Sequence, residues 1–268
     1  MSFSIPRGPQ RIVCLTEEPT EILYALGEQH RIVGITAYTE RPAHAKQAHP
    51  VVSSFVGGSL QRIQALKPDL VIGFSDVQAE YARNLIHAGL PVLIFNQRSI
   101  EEILNVIVSL SQLVGAQPKG RELVEGYVRR LNEAKARSDR RKHRPRVYFE
   151  EWDDPMISAI RWVSELIEIA GGEPLFREQA LSAASKGRQV TVAEVRAGAP
   201  DVILASWCGK AFDELALRER LGVGIPAFAS GRVHALPPEV ILQPGPACLT
   251  DGLDLLERLI APQSGDLG

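Results

Sequence analysis

Two short stretches decide how this chain folds: Ala65–Leu66–Lys67–Pro68–Asp69–Leu70–Val71–Ile72 and, in the second half, Gly198–Ala199–Pro200–Asp201–Val202–Ile203–Leu204. In each, a Pro-Asp turn feeds an unbroken apolar run, the pattern of a strand buried on both faces of a parallel sheet. The echo extends upstream in the same order. Arg11–Ile12–Val13–Cys14–Leu15 opens a strand, an acidic loop follows, and a helical pattern ends in Glu21–Ile22–Leu23–Tyr24–Ala25–Leu26–Gly27. Its counterpart is Arg146–Val147–Tyr148–Phe149, another acidic loop, then Glu165–Leu166–Ile167–Glu168–Ile169–Ala170–Gly171–Gly172. A half-domain present twice predicts two similar lobes with a cleft between them, and clefts between domains take small ligands.

Strand and helix patterns alternate through both halves, so the expected class is α/β, with two Rossmann-like parallel-sheet lobes. The first lobe, residues 10–116, reads as strands 11–15, 31–36, 70–74 and 91–95 with helices between them. Gly27, Gly89 and Gly115 stand where helices end, and Ser59 and Ser99 where they begin. A charged amphipathic segment follows, with Leu123, Tyr127, Leu131 and Ala134 at helical spacing. It predicts one long connecting helix over residues 117–143, whose basic run Arg137–Arg144 is read as a solvated end. The second lobe covers residues 144–262, and Ser264–Gly268 reads as a frayed tail.

At 268 residues each lobe has roughly 110–120 residues, enough to bury a core. A content of 45% hydrophobic and 23% charged residues is that of an ordinary globular protein. A net charge of −2 excludes nucleic acid as an expected partner, and no apolar stretch reaches the ~18–20 residues of a membrane span. The first residues lack a leader pattern, and three cysteines leave one unpaired in any disulfide scheme. Both observations set the expectation of a cytoplasmic protein, or a periplasmic one if a signal peptide has been removed.

In open α/β sheets ligands sit beyond the carboxyl ends of the strands. That rule selects Glu17 and Glu18 after the first strand, Asp76 after the third, and Gln97 and Arg98 after the fourth. In the second lobe it selects Glu151, Trp152 and Asp153, then Trp207 and Cys208, with Arg161 and Trp162 nearby. Trp152 offers a stacking face, and the carboxylates accept hydrogen bonds from ligand amides or hydroxyls. No catalytic or metal-ligating set is assigned. The alternative of a small cleft enzyme would use Glu150, Glu151 or Asp153 as acid–base groups.

Further stretches carry a resemblance. They are Pro19–Thr20–Glu21–Ile22–Leu23–Tyr24–Ala25–Leu26–Gly27, Leu60–Gln61–Arg62–Ile63–Gln64–Ala65–Leu66–Lys67–Pro68–Asp69, Trp162–Val163–Ser164–Glu165–Leu166–Ile167, and Pro244–Gly245–Pro246. With Arg11–Ile12–Val13 and Ile32–Val33–Gly34, the chain resembles the substrate-binding proteins of ATP-binding-cassette importers for cobalamin, haem and ferric siderophores, and most the cobalamin binders. The resemblance implies two lobes on one backbone helix, no enzyme activity, a monomer, and cobalamin or another corrinoid or metal chelate as a non-covalent ligand. It places Tyr38 on the ligand face, in the loop after the second strand from which the carboxyl-edge rule also selects Arg41, and Phe55 where the family stacks a ring. The family's second stacking tryptophan is replaced by Gly187. The two importer-docking glutamates fall on Gln61 and Ala193, which sets the expectation that the importer permease is not a partner.

Overall fold

The computed structural model describes residues 8–55 and 57–261, so the leader region and the tail 264–268 lie outside it. The chain forms two compact units. One is built on the residues up to Gln97 with Glu101–Gly126, the other on Arg98–Ile100 with the residues from Tyr127 onward.

The first unit runs β1 (Ile12–Cys14), α1 (Glu17–Leu26), β2 (Ile32–Thr36), α2 (Ala45–Ala48), β3 (Val51–Ser53), α3 (Leu60–Ala65), β4 (Leu70–Phe74), α4 (Ala79–His87) and β5 (Val92–Phe95). Next come α5 (Ile100–Leu113), of which only Ile100 belongs to the second unit, and the start of α6 (Gln117–Ser138). Its five strands are ordered β3-β2-β1-β4-β5 and all pair in parallel. β1 and β4 lie inside the sheet and are apolar almost throughout, which is why they read as runs and not as alternations. The three-residue β3 has no such run and was not foreseen.

The second unit holds β6 (Arg146–Asp153), β7 (Met156–Ser158), α7 (Arg161–Ile169), β8 (Glu173–Pro174), α8 (Val192–Gly198), β9 (Val202–Ala205), α9 (Glu214–Leu221), α10 (Pro226–Ala229), β10 (Val233–Ala235), α11 (Pro238–Ile241) and α12 (Leu253–Ile260). The order is β10-β9-β6-β7, with β8 also pairing β6. β7 runs antiparallel to β6, so this sheet is mixed where a wholly parallel one was expected. The hairpin extends β6 through Asp153, and Glu151–Asp153 therefore stand on a strand end instead of in a loop.

The repeated Pro-Asp turn does the same work in both units. Asp69 accepts hydrogen bonds from the backbone N–H groups of Gln10 (2.7 Å) and Arg11 (2.8 Å), and Asp201 from that of Arg146 (2.9 Å). In return the Asp69 N–H donates to the Arg11 carbonyl (3.0 Å) and the Asp201 N–H to that of Arg146 (2.9 Å). Each aspartate thus registers the second central strand against the first, β4 on β1 and β9 on β6. The residue before each proline, Lys67 (φ 47°) and Ala199 (φ 42°), takes the left-handed conformation that lets the chain turn into the strand.

The basic run Arg137–Arg144 is solvated in part: Arg137, Arg140, Lys142 and His143 are exposed, while Arg141 and Arg144 are half-buried. Arg137 forms a two-toothed pair with Glu257 (3.0 and 2.8 Å). Arg141 donates to the Ala170 carbonyl (2.7 Å), and Arg144 to those of Glu168 (2.5 Å) and Gly172 (3.2 Å). These carbonyls lie at and just beyond the C-terminus of α7, where cations are favoured. Among the described residues, no helix is long and apolar enough to cross a membrane.

Candidate ligand-binding surfaces

Each unit presents the carboxyl edge of its sheet as a set of loops, and their side chains differ sharply in what they can offer. In the first unit, Tyr38 stands beyond β2 and is 51% exposed, while Phe55 is half-buried in the turn beyond β3. That turn is closed by Ser54, whose N–H (2.6 Å) and hydroxyl (2.9 Å) both donate to the Gly57 carbonyl. The fully buried Gln78 ties it to β4. Its amide donates to the Phe55 carbonyl (2.6 Å) and its oxygen accepts from the Phe74 N–H (3.0 Å). Gln78 lies in the loop the carboxyl-edge rule selects beyond β4, and its bonds make it a positioning residue, a role that only the fold shows. Ser75 holds the end of β4 at φ 79°, an uncommon conformation for a residue with a side chain. Asp76, exposed, accepts from its hydroxyl (3.0 Å).

Two of the carboxylates assigned to this edge, Glu17 and Glu18, are inside. Glu17 is 6% exposed and accepts the Glu40 N–H (3.2 Å); Glu18 is 1% exposed. Burial pushes the Glu18 carboxyl up to about 7, against the pull of the Glu17 and Glu18 backbone N–H groups and of Thr16. Gln97 is buried as well, and Arg41 is held by Glu21 (3.0 Å). Arg98 is half-buried and engaged within the protein.

The second unit's edge is organised around a buried carboxylate. Glu150 is wholly buried and accepts two hydrogen bonds from Arg220 (2.6 and 2.8 Å), one from the Tyr148 hydroxyl (2.9 Å) and one from the Trp207 indole N–H (3.2 Å). Burial raises its pKa, with Arg220 opposing. With its oxygens occupied by four donors, Glu150 cannot serve as a general base, which removes it from the enzyme alternative. Glu151 is paired with the buried Arg188 (2.5 and 3.0 Å) and Asp153 with Lys210 (2.5 Å). Burial alone would raise the Asp153 pKa; the hydrogen bond from Lys210 holds it below the usual carboxylate range. The Lys210 ammonium also lies 4.8 Å from the Trp207 ring centre and 5.7 Å from that of Trp152.

The three tryptophans separate accordingly. Trp152 is partly exposed, steadied by its N–H on the Asp154 carbonyl (3.0 Å). Trp207 is 2% exposed, edge-on to Phe212 with ring centres 5.1 Å apart, and so supports the edge from below. Trp162 is 2% exposed and donates to the Ile241 carbonyl (3.0 Å). Trp162 is thus a core residue and not part of a ligand face, because its ring is the apolar side of α7. Arg161 pairs with Glu165 on the same helix (2.8 Å), and Cys208 is exposed. At Gly187, where the family's second tryptophan would stand, a Cβ would come within 2.1 Å of the Ser182 hydroxyl. The turn as folded has no room for a side chain there.

Each of the two α/β units leaves an aromatic side chain accessible at the carboxyl edge of its sheet, Tyr38 in the first and Trp152 in the second. Residues 12–240 match the family model described as periplasmic binding protein, and the chain belongs to that family. It is 26% identical over 252 residues to a vitamin B12-binding protein of Vibrio parahaemolyticus, covering 93% of this chain and 89% of that one. It is 27% identical over 271 residues to an uncharacterised ABC transporter substrate-binding lipoprotein, YvrC, of Bacillus subtilis, covering 97% and 83%. Among solved structures, the periplasmic haem-binding protein RhuT of Roseiflexus sp. RS-1 superposes with a TM-score of 0.76 at 24% identity, covering 95% of this chain and 100% of that one.

These findings overturn the cytoplasmic expectation: a periplasmic family and a lipoprotein relative point outside the cytoplasm. An odd number of cysteines does not define the compartment here. Cys14 and Cys248 are shielded by burial, which pushes the Cys14 thiol up to about 12. The doubt about an importer partner is not supported either. Gln61 and Ala193 do occupy exposed helix positions, and the neighbouring Glu194 is spent on a capping box with Thr191 at the start of α8.

Proposed function

We propose that this protein is the extracytoplasmic receptor of an ATP-binding-cassette importer and that its ligand is a corrinoid. The observation that carries this reading is that each unit has aromatic rings accessible at its own carboxyl edge: exposed Tyr38 and half-buried Phe55 in the first, partly exposed Trp152 in the second. A corrin is a broad, largely apolar disc, and aromatic planes bury it without a demand for directed hydrogen bonds. The vitamin B12-binding relative supports the same ligand class. The reading takes the protein as a monomer, with lobes over residues 10–116 and 144–262 and a connector over 117–143.

The test is a titration with cyanocobalamin and cobinamide, following tryptophan quenching and corrin absorbance. The expected result is saturable binding in the micromolar range or tighter, weakened about tenfold by Trp152→Ala and by Phe55→Ala, the loss of one aromatic contact each. No saturable binding of either corrinoid would overturn it.

A further inference from the structure

Four cations at the carboxyl edges, Arg188, Arg220, Lys210 and Arg41, are held in ion pairs with carboxylates of their own unit. In the second unit, Arg188 is 3% exposed at its side chain and paired with Glu151 and the Ser158 carbonyl, and Arg220 is paired with Glu150. Lys210, whose side chain is 47% exposed, is matched to Asp153 at 2.5 Å. In the first unit, Arg41 is matched to Glu21 at 3.0 Å. Among the described residues of these edges, Lys186 is the cation for which no counter-ion stands out, and it is a single exposed side chain in the turn Ser185–Arg188.

A chelate fringed with carboxylates, such as haem with its two propionates, needs cations whose charge is still available. At the indole-lined end of the second unit's edge it would have to pull Lys210 from Asp153 and then lie beside the freed carboxylate, a like-charge contact that discriminates against the wrong ligand. A macrocycle fringed with neutral amides meets no such repulsion. It can donate to and accept from paired side chains without breaking them.

We infer that the carboxyl edge of the second unit selects an electroneutral, amide-fringed macrocycle over a carboxylate-bearing one, and that Asp153 enforces the choice by occupying Lys210. The inference rests on the corrinoid reading and names the chemistry by which that site rejects its nearest competitor. Asp153→Asn keeps the shape of the side chain and removes its charge, which releases the Lys210 ammonium above two indole rings.

The experiment measures cyanocobalamin and haemin affinities for the wild type, Asp153→Asn, and Asp153→Asn with Lys210→Met, each checked for folding by far-ultraviolet circular dichroism. The expected wild-type preference for cyanocobalamin is at least about 100-fold. Asp153→Asn should shift the ratio toward haemin by about tenfold or more, and Lys210→Met in that background should reverse the shift. A wild type that binds both within about threefold, or an Asp153→Asn ratio equal to that of the wild type, would overturn the inference. If the wild type binds no cyanocobalamin, the corrinoid reading falls by itself. The charge inference is then judged on haemin alone: it stands if Asp153→Asn gains about tenfold, and falls if it gains nothing.

Discussion

Arg220→Ala is the sharpest probe of how the second unit is held together. Glu150 is wholly buried, and two of its four hydrogen bonds come from Arg220. Truncation leaves a buried carboxylate served only by the Tyr148 hydroxyl and the Trp207 indole. It also removes a donor from the Asp153 carbonyl (2.5 Å). Removing one partner of a buried pair costs about 3–5 kcal/mol, because the remaining charge is left without compensation. Against a total stability of roughly 5–15 kcal/mol that is a large fraction, and it corresponds to a fall in Tm on the order of 10 °C. The sign with pH follows from the buried acid. Burial already raises the Glu150 pKa above its ordinary value of 4.5, and loss of the Arg220 charge raises it further. A folded pKa above the unfolded one means stability present below 4.5 and lost as pH rises through the folded value. The variant's deficit should therefore be largest at neutral pH and shrink near pH 4.5. Urea denaturation followed by far-ultraviolet circular dichroism at both pH values reads it. Adding Glu150→Gln should recover most of the loss at neutral pH, since no buried charge remains. A deficit below about 1 kcal/mol at neutral pH, or one that does not shrink on acidification, would refute the reasoning.

Two further variants test other buried or repeated features. Glu18, raised by burial from 4.5 to about 7, makes the wild type lose stability as pH rises between those values, by about 3 kcal/mol at about 1.36 kcal/mol per pKa unit. Glu18→Gln should abolish that slope in denaturation at pH 5 and pH 8, and an unchanged slope would contradict the assignment. Asp201 behaves oppositely. Burial would raise its pKa, but the hydrogen bonds from Arg146 hold it below 3.8, so its contribution is present above that value and lost as pH falls. Asp201→Asn should cost about 1–2 kcal/mol at pH 7, and the difference from wild type should vanish near pH 2; a constant difference would sink the account.

Much of the fold was legible because the buried central strands carry signals that survive without context. Leu70–Phe74 and Val202–Ala205 read as apolar runs after Pro-Asp turns, and both are central strands. β3 and β7, three residues each, are set by pairing with neighbours, and no local pattern marks them. The candidate site was legible as loops but not as side chains. The rule of the carboxyl edge picked out Trp152 and Trp207 alike, yet one ring is partly exposed and the other is 2% exposed. Trp162 fell on a plausible helix start, and only the packing of α7 shows it to be core.

What the sequence by itself determined is the duplicated α/β plan, since periodicity and a Pro-Asp turn act over a few neighbouring residues and need no distant partner. Tertiary structure alone decided which charges remain available to a ligand. Glu150 and Arg220 are 70 residues apart, Asp153 and Lys210 are 57, and Glu151 and Arg188 are 37. Whether a carboxylate binds a ligand or an arginine depends on which cation the fold brings within hydrogen-bond reach, and that distance is a property of the packed chain.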